Sequence, residues 1–278
     1  MPLDQMDVDQ PGEKALTSAE AEGEMTFLEH LEELRWHLVR AVVSILIFAI
    51  AVFVSGEFFF EKVIMAPKEK SFATYQFICG LSEKLCFYPP QFDLTTIQLG
   101  EQFFVHMKVA FFAGLIFAFP YIFWEIWRFI KPGLYPAERK AARGMVFICS
   151  TLFIMGILFG YYIIAPFAIT FLANYDMGAV NTTTLSSYVN SMTMFTLPTG
   201  LVFELPIIVY FLSKVGLIGP QFMRTYRRHA FIVILILAAI ITPPDVVTQF
   251  LIGIPLFILY EVSIVISARV VKNKEKTE

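Results

Sequence analysis

Apolar runs of about 18 residues or more recur along this 278-residue chain with few charges inside them, the length a helix needs to cross a bilayer. A water-soluble chain of this size would need polar faces between its hydrophobic stripes. Here 57% of residues are hydrophobic and 16% are charged, against roughly 25% charged in soluble domains. The bilayer is therefore the expected solvent, and the expected fold is an all-α membrane protein.

Six transmembrane helices are read from the apolar runs: about Leu38 to Ser55, Val109 to Trp127, Gly144 to Leu172, Met192 to Leu212, His229 to Ile241, and Val247 to Ala268. The first follows an amphipathic helix that a Thr26/Glu29 capping box starts. Trp124 and Trp127 are expected as interfacial anchors. The third run is too long to be straight and upright, which predicts tilt, protrusion or a bend at Pro166. The fourth contains Pro198, Glu204 and Pro206 and should face protein or water. The fifth and sixth form a hairpin around Pro243-Pro244-Asp245, expected to be short.

Lys and Arg crowd the loops between spans two and three (Arg128, Lys131, Arg139, Lys140, Arg143) and between four and five (Lys214, Arg224, Arg227, Arg228). The loop from Asn174 to Asn190 has none, which predicts cytoplasmic N- and C-termini. Arg227-Arg228 is read as part of this positive-inside charge. The long loop between spans one and two, with Pro67, Pro89-Pro90 and enough aromatics to pack, is expected to be a structured periplasmic cap. Residues 1–24 are acidic and aperiodic, a disordered tail rather than a cleaved targeting segment. Residues 25–270 make the membrane domain, and 271–278 a cytoplasmic tail.

The chain carries no phosphate-binding glycine loop, no His-Glu-x-x-His pair and no serine elbow, and His30, His37, His106 and His229 are scattered. No enzyme activity, cofactor, metal or nucleic acid is expected. Glu204 is the clear mid-span acid, and a carboxylate there needs compensation.

Four stretches carry a specific resemblance. His30-Leu31-Glu32-Glu33-Leu34-Arg35, the segment WRFIKPGLYPAER from Trp127 to Arg139, FELP around Glu204 and TPPDVVTQ from Thr242 to Gln249 are together similar to the TatC family, signal-peptide receptors of the twin-arginine translocase in the bacterial inner membrane. The resemblance implies that Glu33 and Glu138, with Phe129 and Arg35 nearby, hold the paired arginines of a signal peptide. A carboxylate suits that task, because a guanidinium is a fixed planar fork of donors. The plain alternative pairs Glu33 with Arg35 or His37 on its own helix and leaves Glu138 to complement a helix N-terminus. The resemblance further implies a groove near Glu204, docking of TatA-like and TatB-like single spans at Thr242 and Gln249, a multi-copy complex and export driven by the proton-motive force. Glu125 lies outside the family pattern and has no assigned role. The competing reading is a proton-coupled secondary transporter for a small solute, with Glu204 as its coupling carboxylate. An oxidising periplasm would let Cys79 and Cys86 pair, while Cys149 is read as packing.

Overall fold

A computed structural model describes residues 27–81, 86–89, 92–130, 144–175, 183–241 and 246–275. The tail before Phe27, together with Glu138, Thr242 and the Pro-Pro-Asp turn, lies outside the described residues.

The described residues are helical almost throughout. Helix α1 spans Phe27–Val54, α2 Ala73–Leu81, α3 Glu101–Ile130, α4 Met145–Phe159 and α5 Ala165–Asn174. They are followed by α6 at Leu185–Val202, α7 at Leu205–Val215, α8 at Pro220–Thr225, α9 at Arg227–Ile241 and α10 at Val246–Glu275. Five stretches are long and apolar enough to cross a bilayer: His30–Val54, Glu101–Ile130, Met145–Asn174, Leu185–Val215 and Thr248–Lys272. The 15-residue α9 is shorter, about 22 Å of helix. Of the two closing spans expected to be short, only this one is: α10 runs 30 residues and extends the helix to Glu275, into the segment expected to be a tail.

Long apolar side chains such as Leu38, Ile47 and Ile50 are more than half exposed. They face outward, as a protein dissolved in lipid requires. Burial instead follows close helix contacts. The amphipathic start and first span form one unbroken α1, which runs antiparallel along α3. At their crossing a Cβ on Gly114 would lie 2.6 Å from the backbone nitrogen of Ala49, so only glycine allows this approach. A Cβ on Gly156 in α4 would likewise sit 2.8 Å from the Cα of Gly200 in α6.

Between α4 and α5 the backbone makes a π turn at Gly160–Ile164 just before Pro166, a common cause of helix bending. Pro166 has no N–H for the Tyr162 carbonyl four residues earlier. The Thr74 hydroxyl of α2 donates to that oxygen, so the interruption of one span is satisfied by the segment beside it. The reverse exchange fixes the segment that leads into α2. Pro67 cannot serve the Val63 carbonyl, which accepts from the Tyr161 hydroxyl at 2.7 Å. The Tyr188 hydroxyl donates to Ile64 O at 2.9 Å, and the Tyr75 hydroxyl to Pro67 O at 2.9 Å. A disulfide joins Cys79 to Cys86, and Tyr75 and Pro89 are completely buried. The loop between the first two long helices is thus a packed cap.

At the cap end, Glu101 ties the turn that precedes α3 to the start of α6. One carboxylate oxygen accepts from the backbone N–H groups of Ile97 at 2.8 Å and Gln98 at 3.2 Å, and the other from that of Ser186 at 3.1 Å. The main core lies beneath, built from Val105, Ile164, Tyr188, Phe195, Ile234 and Ile252. A second cluster of Trp127, Met145, Cys149 and Ile207 sits toward the other end. Trp127 packs against Phe211 with ring centres 5.1 Å apart and is 6% exposed. It packs inward and does not anchor the interface, whereas Trp124 is exposed.

Candidate functional site

The N-terminal end of α1 and the C-terminal end of α3 meet opposite the cap, which brings together charged residues far apart in sequence. Residues 33, 37 and 40 of α1 recur at helical spacing and so share a face. Glu33, Trp36, His37, Arg40 and, from α3, Arg128 line a cavity of about 390 Å³. His37 lies at its back, 5% exposed, with Nδ1 hydrogen-bonded to the Glu125 carboxylate of α3. Glu125 is 1% exposed and also accepts from the Tyr121 hydroxyl. On the cavity side, His37 Nε2 lies 3.9 Å from Glu33 Oε1, and the second Glu33 oxygen is buried without a hydrogen-bond partner among the described residues.

Phe129, four residues after Glu125, closes the top of this cluster. The His30 ring stacks on it at 4.4 Å, and His37 meets its edge at 6.1 Å. Arg35 turns away, with its guanidinium 5.7 Å from the centre of the Trp36 ring. The structure therefore brings Glu33 and Phe129 to one site, leaves Arg35 at its margin and adds His37 and Glu125. The Glu33–His37 spacing was legible as a same-helix pair. The 88-residue link from His37 to Glu125 had no counterpart in the periodicity of either helix.

Glu204 occupies a different place. It sits where the fourth span breaks between α6 and α7, with Pro206 in the first turn of α7. It is 7% exposed, and neither carboxylate oxygen makes a hydrogen bond of ordinary length among the described residues. The Cys149 thiol of α4 is the polar group that acts on it. An apolar groove of about 470 Å³ opens between α3, α4 and α6, lined by residues such as Phe112, Ile116, Leu158 and Thr196. Glu204 does not line it. Gln249 donates from its side-chain amide to Leu235 O at 3.2 Å, within the hairpin of α9 and α10. Among the described residues no group of three His, Cys, Asp or Glu side chains is placed to hold a metal.

Fold and site together define a multi-pass helical membrane protein with a cavity lined by charged residues at one end and a structured cap at the other. Comparison with known proteins places it within that class. The family model for TatC, Sec-independent protein translocase protein, matches residues 29–255, and the chain belongs to the TatC family. Relatives include the Sec-independent protein translocase protein TatC of Blattabacterium sp., 38% identical over 90% of this chain and 98% of the relative. TatCy of Bacillus subtilis is 30% identical over 91% of this chain and 93% of its own length. A crystal structure of the twin arginine translocase receptor TatC superposes with a TM-score of 0.68 at 32% identity, covering 86% of this chain and 98% of that one. The protein is accordingly a multi-pass protein of the bacterial inner membrane.

Proposed function

We propose that this chain is the receptor core of a twin-arginine translocase, which binds twin-arginine signal peptides at the cytoplasmic face and nucleates a complex that exports folded proteins. The supporting observation is the Glu33 carboxylate lining the cavity, with one oxygen buried and without a hydrogen-bond partner among the described residues, beside His37, whose ring meets that of Phe129. An unpaired buried acceptor is unfavourable until a donor arrives, and a guanidinium supplies paired donors with a fixed charge. Glu138, outside the described residues, is the second carboxylate of this reading, and Arg35 flanks the entrance.

In this orientation both termini and the acidic site face the cytoplasm, and the cap faces the periplasm. Helix α9 completes six crossings by thinning the bilayer locally. The apolar groove takes the hydrophobic stretch of the signal peptide. Glu204, Thr242 and Gln249 serve the single spans of TatA-like and TatB-like partners, and the proton-motive force drives export.

Binding of a labelled twin-arginine peptide to the purified protein tests the receptor reading. Glu33→Ala and Glu138→Ala are expected to weaken binding by roughly tenfold or more, the worth of a charge-assisted hydrogen bond, with the protein still folded. Unchanged affinity in both variants would contradict it.

A further inference from the structure

His37 and Glu125 belong to none of the roles above, yet they are the most buried polar pair at the acidic site. An ionised carboxylate only accepts hydrogen bonds, so the contact between Glu125 and His37 Nδ1 places a proton on that nitrogen. In a neutral imidazole the other nitrogen is then an acceptor. That nitrogen, Nε2, lies on the cavity side, 3.9 Å from Glu33 Oε1, too far for a direct hydrogen bond. Two acceptors at this separation are left facing one cavity, and a planar guanidinium has N–H groups on adjacent nitrogens to serve both.

We propose that His37 Nε2 is a second acceptor for a signal-peptide arginine, paired with Glu33, and that Glu125 is the positioning residue that fixes the His37 tautomer. This rests on the receptor reading and deepens it. Among the described residues the charged neighbours are Glu33, Glu125, Arg40 and Arg128, and the Tyr121 hydroxyl donates to Glu125. Arg40, on the same face of α1, lies within the field of Glu125, and Arg128 of α3 lines the cavity. With His37 neutral, Glu33 and Glu125 offset Arg40 and Arg128. When His37 is protonated, Nε2 becomes a donor that turns to Glu33, so the pair of acceptors is lost and one positive charge is added where an arginine would enter. His30, stacked on Phe129, is the other imidazole on this face, but it does not border the cavity.

The test is the affinity of the full-length protein, in detergent or nanodiscs, for a fluorescent twin-arginine peptide between pH 7.5 and 5.5. The unaltered protein is expected to bind roughly tenfold more weakly at the lower pH, the effect of one coupled protonation. His37→Gln should bind about fivefold more weakly at pH 7.5, as the loss of a well-placed hydrogen bond implies, and should flatten the profile to less than about twofold. Glu125→Gln should also weaken binding at pH 7.5, because its amide can donate to Nδ1 and drive the proton to Nε2. A flat profile in the unaltered protein, an unchanged profile in His37→Gln, or full affinity in Glu125→Gln would overturn the proposal. Glu33→Ala in the same assay separates the two levels. Its full affinity would remove the receptor reading as well, whereas its loss beside unaffected His37→Gln and Glu125→Gln would remove only the role of His37.

Discussion

A buried carboxylate with so little polar company stands out in a membrane protein, and among the described residues the Cys149 thiol is the polar group acting on Glu204. An ionised acid at such depth costs about 3 kcal/mol or more. Glu204→Gln is therefore expected to stabilise the fold by about 1 kcal/mol while impairing export. Thermal unfolding in detergent and export of a twin-arginine reporter measure the two effects, and normal export would remove Glu204 from the mechanism. Tyr75 illustrates the opposite case, a buried polar group that is satisfied. Burial pushes its phenol from 10.0 up to about 12, so its stabilising contribution is complete below pH 10 and is lost as pH rises through about 12. Tyr75→Phe should cost about 1 kcal/mol at pH 8 and remove that share of the alkaline destabilisation, as thermal unfolding at pH 8 and pH 11 would show. The sequence marked Glu204 and Glu33 because acids in or beside apolar runs are conspicuous. It left Glu125 without a role, because the partner that explains it is on another helix.

Among the helices, the prolines do the most to shape the molecule. Pro67 and Pro166 each leave a carbonyl free, and the hydroxyls of Tyr161 and Thr74 fill those gaps across the boundary between cap and span. Five of the six expected spans were legible from apolar run length and appear in the expected order, and Pro166 marked the third span's π turn. The donors that make those breaks tolerable were not, because they come from tyrosines and threonines with no pattern of their own. Span ends also shifted: α3 begins at Glu101 and not near Val109, because its first two turns are held by the Glu101 clamp and the cap, not by lipid. Helix contact is most sensitive at Gly114. Gly114→Leu should force α1 and α3 apart at Ala49 and destabilise the protein by about 1–3 kcal/mol. A lower unfolding temperature in detergent is the expected readout, and a wild-type transition would show that the helices separate without penalty.

At the scale of the whole molecule, one end is built to be rigid and the other to be filled. The cap end is closed by the disulfide, the three tyrosine hydroxyls and the Glu101 clamp. The opposite end holds a cavity whose Glu33 oxygen has no hydrogen-bond partner among the described residues, and between them runs an apolar groove. That division suits a receptor that takes a charged motif first and an apolar segment after it. A small-solute transporter would instead place its site at mid-membrane around Glu204, where the cavities described here do not reach. The family resemblance carried by four short motifs pointed to Glu33 and Phe129, and the three-dimensional contacts added His37 and Glu125 beside them. The most direct test is in-membrane photocrosslinking of a radiolabelled twin-arginine signal peptide, beside a control peptide with both arginines changed to lysine. Crosslinks at positions flanking Glu33 and Phe129 that disappear with the lysine peptide are the expected result. Equal labelling by both peptides, or none by either, would contradict the receptor account.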